Sequence, residues 1–256
     1  MRADDVSPDG TTALVVPCYN EAARLQPARF LEALSTYNWL RLVMVDDGSR
    51  DATREVLAAL AAQADGRIDV LALARNSGKA EAVRRGMQRA IALGAVYAGY
   101  WDADLSTSFL ELPAFQSVFR REPQIEIVLG SRVRLLGHEI DRTPSRHYIG
   151  RVFATGASLA LALPVYDTQC GAKVFRVNDR TAALFEKPFA TRWIFDVEML
   201  ARYVDGPAPA EAPPLADRIY ELPLRRWADE PGSKVRPKDG IRAALDLMRI
   251  YILRRR

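Results

Sequence analysis

Apolar runs and amphipathic stretches alternate along the first hundred positions. TALVVP (12–17) is a short apolar run with β-branched residues that stops at Pro17, the pattern of a buried strand. Residues 21–36 are expected to be helical, and LVMV (42–45) predicts a second strand that runs into DDGS. ATREVLAALAAQ (52–63) is dense in Ala and Leu, so it predicts a helix that Asp51 or Ser49 can cap. IDVLALA (68–74) predicts a third strand, GKAEAVRRGMQRAIAL (78–93) a helix, and VYAGYWD (96–102) a fourth strand. This order predicts an α/β fold with a mostly parallel central sheet and helices on both faces.

The second half is less regular. Arg142 to Leu163 reads as a helix, AKVFRV (172–177) as a strand and FDVEMLARYV (195–204) as another helix. The stretch Val152 to Val165 is shorter than the ~20 residues that a bilayer span needs, so it is expected to be a buried helix. DGPAPAEAPP (205–214) predicts a surface loop. Residues 239–256 form a basic amphipathic helix in this reading, with Ile241, Leu245, Met248 and Leu253 along an apolar face and Arg242, Arg249 and Arg254 to Arg256 around it.

Composition removes some classes. With 49% hydrophobic and 27% charged residues among 256, the chain can bury a core, and wholesale disorder is excluded. Cys18 and Cys170 alone make no disulfide framework, which fits a reducing compartment. His138 and His147 do not suffice for a histidine-rich metal site. MRADDVSPDG is polar and acidic, so no signal peptide is expected. The expected location is cytoplasmic, without secretion or a transmembrane helix.

The chemistry lies where strands end. In open parallel sheets, ligands bind beyond the carboxyl ends of the strands. Here those ends carry PCYNE, DDGSRD, ARNSGK and DADLST, which should converge on one edge. Asp102 and Asp104 repel each other, so they imply a bound cation, a nucleophile or a solvated loop. Hard oxygen ligands suit Mg²⁺ or Mn²⁺, which also bind phosphate. The Asp46–Asp47 pair can accept from a base N–H or ribose hydroxyls, and Lys79 follows Gly78 at a helix start, close to where phosphate would sit. A nucleotide diphosphate with a divalent ion meets these demands together.

VVPCYNEAARL, VDDGSRDAT, NSGKAEAVRRGM, DADLST and VLGSR, in this order, resemble family 2 glycosyltransferases of the GT-A fold. DTQCGAKVFR, RWIFDVEML and WADEPGSK look like the dolichyl-phosphate glucose synthase branch, with dolichyl-phosphate mannose synthases as nearby relatives. The resemblance runs from about Leu14 to the final helix.

It implies one GT-A domain over residues 1–256. The nucleotide-binding half spans about 11–130, the acceptor-binding half about 131–238, and the basic helix 239–256. Pro17, Tyr19, Glu21, Asp46 and Asp47 would hold the nucleoside, with Lys79 near the nucleotide. Asp102 and Ala103 would contact ribose or sugar, and Asp102 and Asp104 the metal. Arg132 and Arg146 would face the acceptor phosphate. Gln169 and the Trp193–Glu198 segment would shape the sugar and acceptor pocket, and Ser233 and Lys234 would close over the diphosphate.

The implied reaction is metal-dependent, inverting transfer of a hexose, first of all glucose from UDP-glucose, to a polyprenyl or dolichyl phosphate. The enzyme would make peripheral contact with an anionic membrane surface and bind no nucleic acid. The chain departs from the branch in two ways: DADLST is closer to the mannose-type motif, and no N-terminal anchor is expected. A hydroxyl of another lipid or glycan is the alternative acceptor. It would need a general base, for which Asp167 and Asp196 are the candidates.

Other classes fit less well. A haloacid-dehalogenase-like phosphatase needs its Asp-x-Asp loop after the first strand, not the fourth. Nucleotidylyltransferases and NAD-binding domains need a Gly-rich loop where PCYNE stands. A non-enzymatic protein that binds anionic surfaces remains the reading from a different class.

Overall fold

The computed structural model describes residues 10–141, 144–207, 211–228 and 237–254. Four strands build the first half of the sheet: β1 (Thr12–Cys18), β2 (Leu40–Asp46), β3 (Ile68–Ala72) and β4 (Tyr97–Trp101). Helices α1 (Pro27–Thr36), α2 (Thr53–Ala62) and α3 (Lys79–Ala92) connect them. The second half adds α4 (Leu112–Arg121), β5 (Ile127–Ser131), β6 (Glu139–Asp141), α5 (Pro144–Leu161), β7 (Ala172–Arg176) and α6 (Asp179–Ala183). It closes with α7 (Phe195–Asp205), β8 (Ile219–Pro223), β9 (Arg226–Ala228) and α8 (Pro237–Arg254).

The main sheet has seven strands in the order β3-β2-β1-β4-β7-β5-β8. Six of them share one direction through the parallel pairs β1–β2, β1–β4, β2–β3 and β5–β8, while β7 runs antiparallel between β4 and β5. β6 and β9 form a separate parallel pair.

Side chains alternate along each strand, so both faces of the sheet are buried. Leu14 and Val16 join the core formed with α1, α2 and α4, which contains Phe30, Leu57 and Phe115. Ala13 and Val15 face the other core, with Val83 of α3, Leu161 of α5, Leu200 of α7 and Ile250 of α8. The predicted α/β architecture stands.

Two expectations change, and α8 keeps part of its expected apolar face outward. Helix α1 starts at Pro27, not at 21: Gln26 before it takes a non-helical ψ of 76°, because the residue before a proline disfavours the helical region. The 152–165 stretch is not a buried helix. Ala157 and Leu161 are inside, but Val152 is 76% and Leu159 72% exposed. On α8, Ala243 and Ile250 turn inward, whereas Leu245 and Met248 face out. The side chains of Ile241 and Leu253, and Arg255 and Arg256 altogether, lie outside the described residues.

Candidate functional site

β4 delivers Asp102 just past Trp101, which is itself fully buried and donates from Nε1 to Thr107 O at 2.6 Å. That bond closes the 102–107 loop, and Leu105 takes a left-handed φ of 55° within it. Asp104 Oδ1 accepts from Ser106 N at 3.0 Å, and Ala103 is buried between the two carboxylates. Two cations already attend the pair. Lys79 Nζ donates to Asp102 Oδ1 at 2.5 Å, and Arg24 Nη2 lies 3.7 Å from Asp104 Oδ2 and its Nη1 3.4 Å from Glu21 Oε2. The crowded setting of the Lys79 ammonium would lower its pKa, but Asp102, Asp196 and Asp104 more than reverse this and raise it. The two carboxylates keep 34% and 30% of their side-chain exposure.

The β1 and β2 ends lie alongside. Asn20 stands in the left-handed region, and Glu21 N donates to Thr53 Oγ1 at 2.8 Å, so the 17–21 turn is tied to the start of α2. Asp46 Oδ1 accepts from Ser49 N at 2.9 Å, and an open cleft lined by Asp46, Arg50, Arg54, Arg75 and Asn76 runs beside it.

Asp47 departs from expectation. Its oxygens accept from Ser77 N at 2.7 Å and Gly78 N at 2.8 Å, so this carboxylate fastens the loop before Lys79 rather than facing the cleft with Asp46. Burial pushes its pKa up against those two hydrogen bonds. Gly48 sits below the same loop with φ +64°, and a Cβ there would come within 2.4 Å of the Arg75 carbonyl carbon.

On the other side of β4, the antiparallel β7 begins where β4 and β5 end, pairing Trp101 with Ala172 and Leu129 with Lys173. Arg132, just beyond β5, therefore reaches the same edge. It clasps Asp167 through Nε on Oδ2 at 2.7 Å and Nη2 on Oδ1 at 2.8 Å, and lies over the Trp227 ring at 5.3 Å. Burial would raise the Asp167 pKa, yet the guanidinium holds this carboxyl far below the carboxylate range. A pocket next to the pair is lined by Arg151, Tyr166, Thr168 and Gln169.

Asp196 is equally engaged: it accepts from Lys173 Nζ at 2.6 Å and from the Tyr100 hydroxyl. Neither proposed base is thus a free carboxylate. Trp193 is 40% exposed, but Glu198 is turned inward and accepts from Ala190 N, Thr191 N and Arg202, closing its own loop instead of lining a pocket. Arg146 lies on α5, with its side chain outside the described residues, as are Ser233 and Lys234. Ala228, the last described residue before that gap, donates from N to Ser106 O at 3.3 Å beside the aspartate loop. Pro17 and Tyr19 stand at the β1 end.

Sequence reasoning missed Arg24, Arg151 and Lys173. Arg24 alone carried a signal, its spacing of three from Glu21.

Comparison with known proteins identifies the family. The pattern of "Glycosyl transferase family 2" matches residues 13–180. Dolichyl-phosphate beta-glucosyltransferase from Drosophila melanogaster is 32% identical over 90% of this chain and 71% of its own. The ALG5C protein of that name from Trichomonas vaginalis is 30% identical over 94% and 71%. Among solved structures, glucosyl-3-phosphoglycerate synthase from Mycobacterium tuberculosis, in complex with Mn²⁺, UDP and phosphoglyceric acid, superposes with a TM-score of 0.68. It is 18% identical and covers 98% of this chain and 81% of that one. The protein is a glycosyltransferase of GT-A fold and belongs to glycosyl transferase family 2.

Proposed function

We propose that the protein transfers glucose, with inversion, from UDP-glucose to a dolichyl or related polyprenyl phosphate, assisted by Mg²⁺ or Mn²⁺. One juxtaposition carries this reading: the Asp102–Asp104 pair and the Arg132–Asp167 pair stand at one sheet edge, joined by the turn that enters β7. The names of the relatives supply the sugar and acceptor, and the M. tuberculosis enzyme has been crystallised with Mn²⁺ and UDP-glucose.

The residues fit a divalent ion. Asp102 and Asp104 are hard oxygen donors, one residue apart, partly exposed and already drawing cationic side chains. Bound there, such an ion would act as a Lewis acid on the departing diphosphate. The remaining work belongs to the chain. Asp46 and the cleft beside it receive the nucleoside, and Lys79 offers its ammonium to the developing phosphate charge. Arg132 is oriented by Asp167 through Nε and Nη2 and, among the described residues, has Nη1 left to donate to an anionic acceptor.

A phosphate is already ionised at neutral pH and needs no base. A hydroxyl acceptor would need one, and Asp167 and Asp196 are both held in buried ion pairs. This supports the lipid phosphate over the hydroxyl.

The exposed apolar residues of the paired helices α5 and α8 (Val152, Leu159, Leu245, Met248 and Ile252), with Arg242 and Arg249 among them, suit an anionic membrane surface. Arg254 does not join them, because it pairs with Asp205 at 2.9 Å. No described helix is long and apolar enough to cross a membrane. The test is a donor screen over UDP- and GDP-sugars with dolichyl phosphate. Selective, EDTA-sensitive use of UDP-glucose supports the proposal, and preference for another donor sugar contradicts it.

A further inference from the structure

The turn entering β7 passes directly over the Asp-x-Asp loop. Asp102 N donates to Gly171 O at 3.1 Å, so the two segments are joined by backbone. The Asp102 carboxylate occupies the space a side chain at 171 would need. A Cβ built on Gly171 would lie 2.0 Å from Asp102 Oδ2, 2.2 Å from its Cγ and 2.7 Å from Oδ1. No backbone atom is among these three nearest neighbours. Gly171 is therefore required by the carboxylate and not by a turn, and it is not among the glycines with positive φ.

The turn itself is anchored from below. Lys173, with no solvent exposure, donates from Nζ to Cys170 O at 2.5 Å and to Asp196 Oδ1 at 2.6 Å. The Tyr100 hydroxyl reaches the same Asp196 oxygen. A buried ammonium is costly unless paired and hydrogen-bonded. Here its partners are the carbonyl just before Gly171 and the first turn of α7. The anchor thus fixes the height of the turn above β4, and the turn fixes the carboxylate.

We propose that Gly171 is a positioning residue of the donor site, and that the buried Lys173–Asp196 pair holds this seat for the Asp102 carboxylate in place. This rests on Asp102 binding the donor and its cation. Substitutions of groups that orient a metal-binding side chain typically cost about 10–100-fold in metal affinity.

The 256-residue chain can be tested by calorimetry of UDP in the presence of Mn²⁺, together with thermal melting. Wild type is compared with Gly171→Ala, Asp102→Ala and the double variant. Gly171→Ala should weaken UDP–Mn²⁺ binding about tenfold or more. The double variant should bind like Asp102→Ala alone, because the added methyl group then has no carboxylate to displace. If Gly171→Ala fails to fold, the double variant should recover the melting temperature of Asp102→Ala. Near-wild-type binding by Gly171→Ala while Asp102→Ala binds weakly would overturn the positioning role alone, as would additive losses or an unfolded double variant. Unchanged UDP–Mn²⁺ affinity in Asp102→Ala would remove the donor-site reading and this inference with it.

Discussion

Arg132 and Asp167 meet side by side, two N–H donors on two carboxylate oxygens at 2.7 and 2.8 Å, with 15% and 8% of their side chains exposed. Breaking one partner of such a buried pair typically costs about 3–5 kcal/mol, because the other charge is left uncompensated. Asp167→Asn should therefore lower the melting temperature markedly and reduce transfer to polyprenyl phosphate more than UDP affinity. Thermal melts, a transfer assay and calorimetry of UDP on the same variant measure these effects.

The same pair predicts a response to acid. The folded-state pKa of Asp167 is depressed, so its contribution to stability is complete above the unfolded carboxyl value of about 3.9 and is lost as pH falls below it. Wild type should lose stability below about pH 4 more steeply than Asp167→Asn. Parallel slopes in pH-dependent melts would contradict the assignment.

Asp104 is different because it is partly exposed and contributes little to either core. Asp104→Asn keeps an oxygen for Ser106 N, so stability should stay within about 0.5 kcal/mol while transfer is abolished. Activity comparable to wild type in this variant, with a normal melt, would separate Asp104 from the chemistry.

Lys79 tests the diphosphate side of the site. Lys79→Met removes the ammonium from Asp102 without touching either hydrophobic core. Loss of a preorganised charge at a developing anion costs about 10²–10³ in rate. Steady-state kinetics should show that loss mainly in kcat.

Most of the sheet was legible because β1, β2 and β4 are continuous apolar runs whose ends are chemically distinct. β5 and β8 are not legible as strands: Gly130 and Ser131 end the apolar run of the first, Glu221 and Pro223 interrupt the second, and their places come from pairing with distant segments. The antiparallel direction of β7 was equally invisible, since AKVFR reads the same either way.

The site was legible as residue types but not as partnerships. Asp46 and Asp47 look equivalent in the chain, yet only the fold turns Asp47 toward Ser77 and Gly78. Asp167 and Asp196 look like free bases until Arg132 and Lys173 are brought against them.

The exposed apolar residues of α8 carry the membrane prediction. Replacing Leu245 and Met248, 61% and 60% exposed, with serine should leave the melt unchanged and reduce co-sedimentation with anionic vesicles. Equal sedimentation of both proteins would remove that contact.

The central claim is the transfer of glucose to a lipid phosphate, and mass spectrometry of the product tests it directly. Incubation with UDP-glucose, Mn²⁺ and an equimolar mixture of dolichyl phosphate and dolichol should yield glucosyl phosphoryl dolichol, and Arg132→Ala should suppress this product while retaining UDP binding. Glucose found on the hydroxyl of dolichol, with dolichyl phosphate left unused, would contradict the account.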